Sequence, residues 1–410
     1  MNTSRRVMIK LFAPLALIPS FISSAKVIDA SANQPDQHNN DTPPARASFA
    51  ANLLADQKSI KIECFGDSTM WGSIPHNTTT MDPANPSASL QKALDLIFPG
   101  LVKVKNSAIP GTTLKLLLTG RDSGPGTYEE RLMKSDALII YCNHCLNDCN
   151  SYESDESQYR QNLIEFVRLT RQYGKIPILV TPSIISPVGD GKEFMMKRMP
   201  AFIKTMKDVA SHMNVDLVDN YYYSYKTSRM TPASKINGDG VHLNSEAYQN
   251  AGWNMAIPLV LANTLNNPYD LCGLSNSTFK DNLTLSRAIW SVDSRFGSVL
   301  TADSNDSLQH IYFPVILDNP TDHTRLAIGG FNGEAGGTGE ITYFGERNDH
   351  RYSGRIDYKK DVEITYDKLF EPSACKLSAG FHIIGVEASA EEGGKNFNFA
   401  GVQLIPSAVI

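Results

Sequence analysis

The alternation of strand-like and helix-like segments between residues 59 and 266 is the feature that most limits the folds open to this chain. Short apolar runs, typical of strands covered on both faces, are separated by longer stretches whose apolar residues recur every three or four positions. The strand-like runs are SIKIECF, LVKVKN, DALIIYC, KIPILVTPS and NVDLVDN. Five strands separated by helices predict a parallel sheet built from right-handed crossovers, with helices on both faces.

The rhythm changes after Asn266-Asn267-Pro268. Short β-type runs separated by Gly, Asn and Asp follow, without a long amphipathic helix pattern: LQHIYFPVIL, TRLAIGG, EITYFG, DVEITY, FHIIGVEAS and FNFAGVQLI. A single core rarely grows beyond about 250 to 300 residues, so a chain of 410 residues predicts two domains. We expect an α/β domain at residues 58–267 and an antiparallel β-sandwich at residues 270–410.

The N-terminal residues predict export. SRRVMIK places three basic residues ahead of LFAPLALIPSFISSA, whose 15 residues are fewer than the roughly 20 needed to span a bilayer. The segment resembles a bacterial twin-arginine signal, with Arg5 and Arg6 as the diagnostic pair; an ordinary secretory signal or an uncleaved tail stays open. We expect an export signal at residues 1–32, then a polar, proline-containing linker at residues 33–57. The mature protein would be periplasmic, extracellular or on the cell surface, with no stable membrane insertion.

Charge and cysteine content exclude some classes of partner. The net charge is −5 and the basic residues are mixed with acidic ones along the chain, so no basic face is predicted that would bind nucleic acid. Six irregularly spaced cysteines are too few for a disulfide scaffold. Cys272 and Cys375 could pair if the compartment is oxidising.

Chemically unusual residues follow the predicted strands, where functional residues of open parallel sheets gather. Ser68 comes after the first strand, Gly111 after the second, Asn147 after the third, and Asp239 with His242 after the fifth. A serine hydroxyl becomes a good nucleophile when a base takes its proton and a further acceptor holds that base in one tautomer. His242 and Asp239 can supply both from one loop.

Acyl transfer also needs donors for the charge that develops on the carbonyl oxygen. The backbone N–H groups of Ser68 and Gly111 and the side-chain amide of Asn147 could converge there. The alternative for Ser68 is a plain turn residue, and for His242 a surface histidine.

Four ordered segments, FGDSTMWG, NSAIPGTT, NHCLND and DGVHLN, resemble the signature blocks of the SGNH (GDSL-type) hydrolases over residues 59–266. The resemblance implies a flavodoxin-like three-layer α/β/α fold without a cofactor. It also implies Ser68 as nucleophile, Asp239 and His242 as its partners, and Gly111 and Asn147 in the oxyanion hole. Cys145 stands where the family has glycine, and its Cβ is expected to act on the Asn147 loop.

A metal site is the competing interpretation of YCNHCLNDC, which holds Cys142, His144, Cys145 and Cys149. Structural zinc normally uses two Cys-x-x-Cys knuckles, and the sequence has no second one. We therefore expect small buried cysteines and no metal.

The C-terminal run LSAGFHIIGVEASAEEGGKNFNFAGVQLI resembles the closing strands of carbohydrate-binding jelly rolls, and a sandwich without ligand is the alternative. Together these features predict an exported serine esterase that removes short acyl groups, O-acetyl groups in particular, from a polysaccharide or glycan. The other candidate is a surface or phage-tail-type, virion-associated glycan-binding protein whose hydrolase site is weak or inactive. A lipase would need an apolar lid, and the sequence has no strongly apolar loop insertion.

Overall fold

The computed structural model describes residues 47–260, except 153, 188–191 and 230, and nine segments of the C-terminal part. Those segments are 288–293, 297–303, 309–317, 324–330, 338–344, 355–357, 365–368, 378–389 and 396–406. The predicted export signal, the first part of the predicted linker, and Cys272 and Cys375 lie outside the described residues.

A five-stranded parallel sheet forms the centre of the first unit, in the order β4-β1-β5-β6-β7. Its strands are β1 (Ile60–Phe65), β4 (Val102–Asn106), β5 (Ile139–Cys142), β6 (Ile176–Val180) and β7 (Asp216–Val218). In this doubly wound order, the chain runs from β1 to β4 on one side and then to β5 on the other side of β1. A crevice therefore forms at the carboxyl ends of β1 and β5. The predicted parallel sheet is confirmed.

Eleven helices are described for the first unit, and a two-stranded hairpin follows the second of them. The helices are α1 (Ala47–Ala55), α2 (Ser68–Trp71), α3 (Pro86–Ile97), α4 (Leu114–Thr119), α5 (Tyr128–Lys134), α6 (Leu146–Asn150), α7 (Glu156–Gln172), α8 (Glu193–His212), α9 (Asn220–Ser228), α10 (Ala233–Ile236) and α11 (Ser245–Asn254). The hairpin pairs β2 (Ser73–Ile74) with β3 (Asn77–Met81). Within the described residues, no helix is both long and apolar enough to cross a membrane.

The sheet separates two hydrophobic cores because successive side chains of a strand point to opposite faces. In β5, Ile139 and Tyr141 pack with α3 and the end of α11, whereas Ile140 and Cys142 pack with α4, α5, α7 and α8. All four are fully buried. This two-sided burial explains why the strand reads as a continuous apolar run in the sequence.

The end of the predicted linker is helical in the structure. Residues Ala47–Ala55 form α1, and Ala47, Ala50 and Leu54 are buried in the core that contains β1 and α3. Alanine and leucine are strong helix formers, and their spacing gives α1 one apolar face. The polar composition that predicted a linker belongs to residues 33–46, and α1 lies about ten residues before the start of the α/β domain expected from the sequence.

The C-terminal segments form two antiparallel sheets with the orders β10-β15-β12-β13 and β14-β11-β16-β9-β8. Their strands are β8 (Ala288–Asp293), β9 (Gly297–Asp303), β10 (Gln309–Leu317), β11 (Thr324–Gly330), β12 (Thr338–Phe344), β13 (Arg355–Asp357), β14 (Thr365–Lys368), β15 (Gly380–Ser389) and β16 (Asn396–Pro406). Each of the six predicted β-type runs overlaps one of these strands. That the two sheets pack as a jelly-roll sandwich stays a prediction.

The start of β15 packs against the first unit. Phe381 and Ile383 are buried in the core that contains Trp253 and Met255. The backbone N–H of Phe381 donates to Asn254 Oδ1 at 2.8 Å, and that of Ala379 donates to the Thr227 hydroxyl at 3.1 Å. The first residues of β15 therefore complete the core beneath α11.

Candidate active site

Ser68 is the first residue of α2 and lies three residues beyond the carboxyl end of β1. Asp67 caps this short helix: its Oδ1 accepts from the Thr69 N–H at 2.9 Å and from the Thr69 hydroxyl at 2.7 Å. Burial raises the pKa of Asp67, although the hydrogen bonds from Thr69 act in the opposite direction. The cap turns the chain sharply after the strand and leaves Ser68 only half-buried at the rim of the sheet.

The turn before Ser68 is held from the neighbouring strand by Asn143, which follows β5. The Asn143 side chain accepts from the Asp67 N–H at 3.3 Å and donates to the Thr69 hydroxyl at 3.0 Å. A Cβ on Gly66 would lie 1.9 Å from Asn143 Oδ1, so glycine is the residue that permits this approach. Two adjacent strand ends are thereby joined directly behind the serine.

The loop between α10 and α11 brings His242 to the same place. Its Nε2 lies 2.9 Å from Ser68 Oγ, and its Nδ1 lies 2.7 Å from Asp239 Oδ2. Because a carboxylate accepts only, Nδ1 carries the proton and the lone pair of Nε2 faces the Ser68 hydroxyl. The structure thus brings together the three side chains that the sequence placed in one site.

Three backbone N–H groups hold the Asp239 carboxylate in position. The N–H groups of Val241 and His242 donate to Oδ1 at 2.9 and 2.7 Å, and the His76 N–H donates to Oδ2 at 3.3 Å. Partial burial alone would raise the pKa of Asp239, but the hydrogen bonds from His242 and from the backbone outweigh burial and lower it to about 2. Asp239 is therefore ionised throughout the neutral and mildly acidic range.

Gly111 and Asn147, two of the residues predicted for the oxyanion hole, lie on segments that are joined to the serine turn or to each other. The Ile109 N–H donates to the Gly66 carbonyl at 2.9 Å, which fixes the 109–112 turn against the turn that carries the serine. Gly111 lies in this turn with a φ of +77° and is exposed. The Asn147 amide donates to the Thr112 carbonyl at 3.0 Å, so Asn147 and the 109–112 turn are joined directly.

Asp148 holds the segment that follows this turn. Both of its carboxyl oxygens accept from the Leu114 N–H, at 3.2 and 3.1 Å, at the first residue of α4. Burial raises the pKa of Asp148 to about 7. The segments around Gly111 and Asn147 are therefore fixed to each other at two successive places.

Residues 64–250 match the family model described as GDSL-like lipase/acylhydrolase. This part of the chain is a GDSL-like hydrolase domain. The match contains Ser68, Gly111, Asn147, Asp239 and His242, and it ends within α11.

Two solved structures are each similar to about half of this chain. An α/β hydrolase enzyme from the metagenome of Lake Arreo is 20% identical, with a TM-score of 0.41, over 50% of this chain and 97% of that one. An acetylxylan esterase from Geobacillus stearothermophilus is 19% identical, with a TM-score of 0.41, over 49% of this chain and 94% of that one. No curated protein matches the chain.

The cysteines around the third block of the GDSL-like domain are buried and unbonded to one another. Cys142, Cys145 and Cys149 line the core between the sheet, α7 and α8. Burial raises the pKa of Cys149 to about 12 and raises that of Cys145 as well. In the part of the chain that the structure describes, no three His, Cys, Asp or Glu side chains are grouped to hold a metal ion.

Cys145, which replaces the usual glycine of the family, adopts a φ of −167°. This extended value is open to any residue, and the side chain is fully buried. The expected displacement of the Asn147 loop by a Cβ therefore has no basis in backbone strain at this position.

Several positioning residues of the site were missed by sequence reasoning. Asp67 and Asn143 hold the serine turn, while Thr112 and Asp148 join the Gly111 and Asn147 segments. All four lie within the blocks that carried the family resemblance, and Asp67 precedes a short helix as an N-cap residue would. Their partners are distant in sequence, so nothing in the local pattern reveals which residues they contact.

Proposed function

We propose that the GDSL-like domain is a serine carboxylic-ester hydrolase in which Ser68 is the nucleophile, His242 the general base and Asp239 the residue that orients His242. The observation that carries this proposal is the continuous hydrogen-bonded line from Ser68 Oγ through both nitrogens of His242 to Asp239 Oδ2, at 2.9 and 2.7 Å. Both distances are within the range for proton transfer along hydrogen bonds. The family description, a lipase or acylhydrolase, is consistent with the proposal.

The proposed reaction has two halves. Ser68 Oγ attacks the ester carbonyl carbon while its proton passes to His242 Nε2, and the resulting imidazolium is stabilised by ionised Asp239. When the tetrahedral intermediate collapses, His242 returns that proton to the leaving alcohol and an acyl-enzyme remains. A water molecule then attacks the acyl carbon, His242 takes its proton and returns it to Ser68 Oγ, and the carboxylic acid departs.

Stabilisation of the negative charge on the intermediate is assigned to the N–H groups of Ser68 and Gly111 and to the Asn147 amide. The hydrogen bonds from Ile109 to Gly66 and from Asn147 to Thr112 support this assignment, since they join the loops that carry these residues. An oxyanion donor held in advance contributes more than one that must reorient during the reaction.

We further propose that the substrate is a polysaccharide or glycan carrying short acyl groups, acetyl in particular, and that the enzyme is exported by a bacterium. The export-like N-terminus and the β-rich C-terminal part support this in the sequence. Near the site, the hairpin β2–β3 touches Asp239 through the His76 backbone, and all five residues of β3, Asn77–Met81, are exposed. Four of these five are Asn or Thr, which suits a hydroxyl-rich substrate better than a lipid chain.

The catalytic proposal is tested by hydrolysis of p-nitrophenyl acetate by the wild type and by Ser68→Ala. We expect the substitution to reduce kcat/KM by about 10⁴-fold or more, because removing the nucleophile of such a triad leaves only binding and oxyanion stabilisation. Ser87→Ala is the matched control, since Ser87 is a buried helical serine whose hydroxyl contacts the Met70 sulfur at 3.9 Å. Equal rates for wild type and Ser68→Ala would reject the enzyme and favour a glycan-binding protein with an inactive site.

The substrate proposal has a separate test. Acetate release is measured from a panel of O-acetylated glycans and, in parallel, from esters of increasing acyl length. We expect acetylated glycans to be cleaved and long-chain esters to react slowly. Activity confined to long-chain esters would overturn the glycan assignment while leaving the esterase assignment intact.

A further inference from the structure

The side chain of His144 is buried directly behind the proposed oxyanion donors. It is 1% exposed, its Nε2 lies 3.1 Å from the Thr112 hydroxyl, and its Nδ1 lies 3.6 Å from Cys142 Sγ. Neither the proposed reaction nor a metal site uses this histidine, although it lies within the third block of the GDSL-like domain. Its contacts show what it does instead.

The hydrogen bonds around Thr112 define the tautomer of His144. The Thr112 hydroxyl donates its only proton to the Ile109 carbonyl at 2.7 Å, so it can only accept from the histidine. Nε2 of His144 therefore carries the proton, and the lone pair of Nδ1 faces the Cys142 thiol. Burial lowers the pKa of His144 to about 3, so the ring stays neutral at working pH.

Thr112 uses its side chain and its backbone for two different partners. The hydroxyl accepts from His144 and closes the 109–112 turn onto Ile109, while the carbonyl accepts from the Asn147 amide at 3.0 Å. Gly111, whose N–H is a proposed oxyanion donor, is the residue immediately before Thr112. Any movement of Thr112 would therefore redirect both the Gly111 N–H and the Asn147 amide.

His144 itself is fixed from behind. The Tyr159 hydroxyl, on α7, donates to the His144 carbonyl at 2.6 Å, and Tyr159 is fully buried. His144 thus links α7, through its carbonyl, to a turn that contains an exposed glycine, through its ring. A turn with this much freedom at Gly111 needs such an anchor to keep one direction for its N–H groups.

We propose that His144 and Thr112 are positioning residues for the oxyanion hole: neutral His144 donates to the Thr112 hydroxyl and so aims the Gly111 N–H and the Asn147 amide. This inference depends on the proposed function. The donors act on charge that develops in the transition state, so their misalignment lowers kcat with little effect on KM.

The test compares Thr112→Val with Thr112→Ser in the full chain, using p-nitrophenyl acetate. Valine keeps the shape of threonine without the hydroxyl, whereas serine keeps the hydroxyl. We expect Thr112→Val to lower kcat about 10- to 100-fold with KM within about twofold of wild type, a smaller loss than deletion of a donor. Thr112→Ser should stay within about threefold of wild type.

Thr170→Val is the matched control for loss of a buried threonine hydroxyl. The Thr170 hydroxyl also donates to a carbonyl, that of Phe166 at 2.6 Å, and lies 2.6 Å from an aromatic side chain, the Tyr128 hydroxyl. It is fully buried in the core between α5 and α7, away from the donors. We expect Thr170→Val to lower thermal stability as much as Thr112→Val does, with kcat unchanged.

A second pair changes the histidine itself. His144→Gln can still present a side-chain N–H toward Thr112, whereas His144→Phe cannot. We expect the glutamine variant to recover at least part of the kcat that the phenylalanine variant loses. If Thr112→Val keeps the wild-type kcat, or if Thr170→Val loses as much kcat as Thr112→Val, the inference is wrong.

A readout without turnover separates this inference from the proposed function. In protein labelled with ¹⁵N at asparagine, the Asn147 side-chain amide signal should move in Thr112→Val and stay in place in Thr112→Ser and Thr170→Val. If wild type and Ser68→Ala prove equally inactive, the proposed function fails, and this signal alone decides whether Thr112 positions the amide. An Asn147 signal that is the same in all variants would overturn the positioning role.

Discussion

The two halves of the proposed site, the Asp239–His242 loop and the Gly111 and Asn147 segments, are built differently. Asp239 and His242 lie three residues apart in one loop, and that loop supplies two of the backbone donors to Asp239. In the proposed oxyanion hole, Gly111 and Asn147 come from separate segments, which are joined through Thr112, His144 and Asp148. The residue pair proposed for proton transfer is therefore organised locally, whereas the proposed oxyanion hole depends on buried contacts between distant parts of the chain.

Removal of His242 is expected to have the largest effect of the substitutions that test this difference. His242→Ala should lower kcat/KM for p-nitrophenyl acetate by about 10⁴- to 10⁶-fold, since Ser68 loses the base that accepts its proton. The double variant with Ser68→Ala should be no slower than either single variant, because the two residues act as a unit. His212→Ala, at the exposed end of α8, is the control. Additive losses in the double variant would contradict the shared role.

Asp239→Asn should have the next largest effect, a loss of about 10³- to 10⁴-fold in kcat. An asparagine amide can hold His242 in the wrong tautomer, with the proton on Nε2 facing Ser68. The exposed Asp95→Asn, on α3, removes a negative charge without this consequence. A loss below tenfold in Asp239→Asn would show that the backbone of the loop alone orients His242.

Asn147→Ala should lower kcat by about 10²- to 10³-fold, as expected for the loss of one oxyanion donor. Asn150→Ala, in the same short helix and exposed, is the control. The double variant Asn147→Ala with Thr112→Val tests whether the two residues act together in the proposed oxyanion hole. If Thr112 acts through Asn147, the double variant will lose less than the product of the single losses.

Asp148→Asn should change the pH dependence of stability more than activity. The pKa of Asp148 is raised to about 7 in the folded protein, so its contribution to stability is fully present below its ordinary value of about 3.8 and is lost as pH rises toward 7. Asparagine does not titrate. The free energy of unfolding of the wild type, measured against the variant by urea denaturation, should therefore fall by about 2 to 4 kcal/mol between pH 4 and pH 7.5.

The comparison with the variant removes the contributions of titrating groups that do not interact with Asp148; buried Asp67, whose charge raises the pKa of Asp148, is the group that stays coupled to it. His144 contributes in the opposite direction: its pKa is lowered to about 3, so its contribution grows as pH rises through the ordinary range of histidine. A constant difference between wild type and Asp148→Asn across this window would show that the carboxyl is ionised in the folded state throughout.

The difference between local and distant contacts also explains which features could be predicted from the sequence. Strand and helix periodicity predicted the parallel sheet because burial on both faces leaves continuous apolar runs, as in β5. The strand-end argument then identified Ser68, since parallel strands deliver their loops to one rim. His242 was identified by its sequence block instead, because α9 and α10 separate it from β7. The short spacing of Asp239 and His242 made their pairing visible without a structure.

Contacts between distant segments could not be predicted in the same way. The hydrogen bond between His144 and Thr112 spans 32 residues, and Asp148 meets Leu114 across 34. The cysteines around His144 suggested a metal site. The hydrogen-bond partner of its Nε2, Thr112, lies on another loop and could not be recognised from the sequence. Helix α1 was missed for a related reason: its value to the fold comes from packing on β1 and α3, and a composition average over residues 33–57 conceals it.

The burial of Phe381 and Ile383 beneath α11 has a practical consequence for how this chain can be divided. A fragment cut at the sequence boundary near residue 267 would lose side chains that cover Trp253 and Met255, and would expose an apolar surface on the helix that follows His242 directly. The GDSL-like domain and the start of β15 thus share one hydrophobic core and cannot be exchanged independently. If the C-terminal part were replaced by an unrelated one, the replacement would need apolar side chains that cover Trp253 and Met255 as Phe381 and Ile383 do.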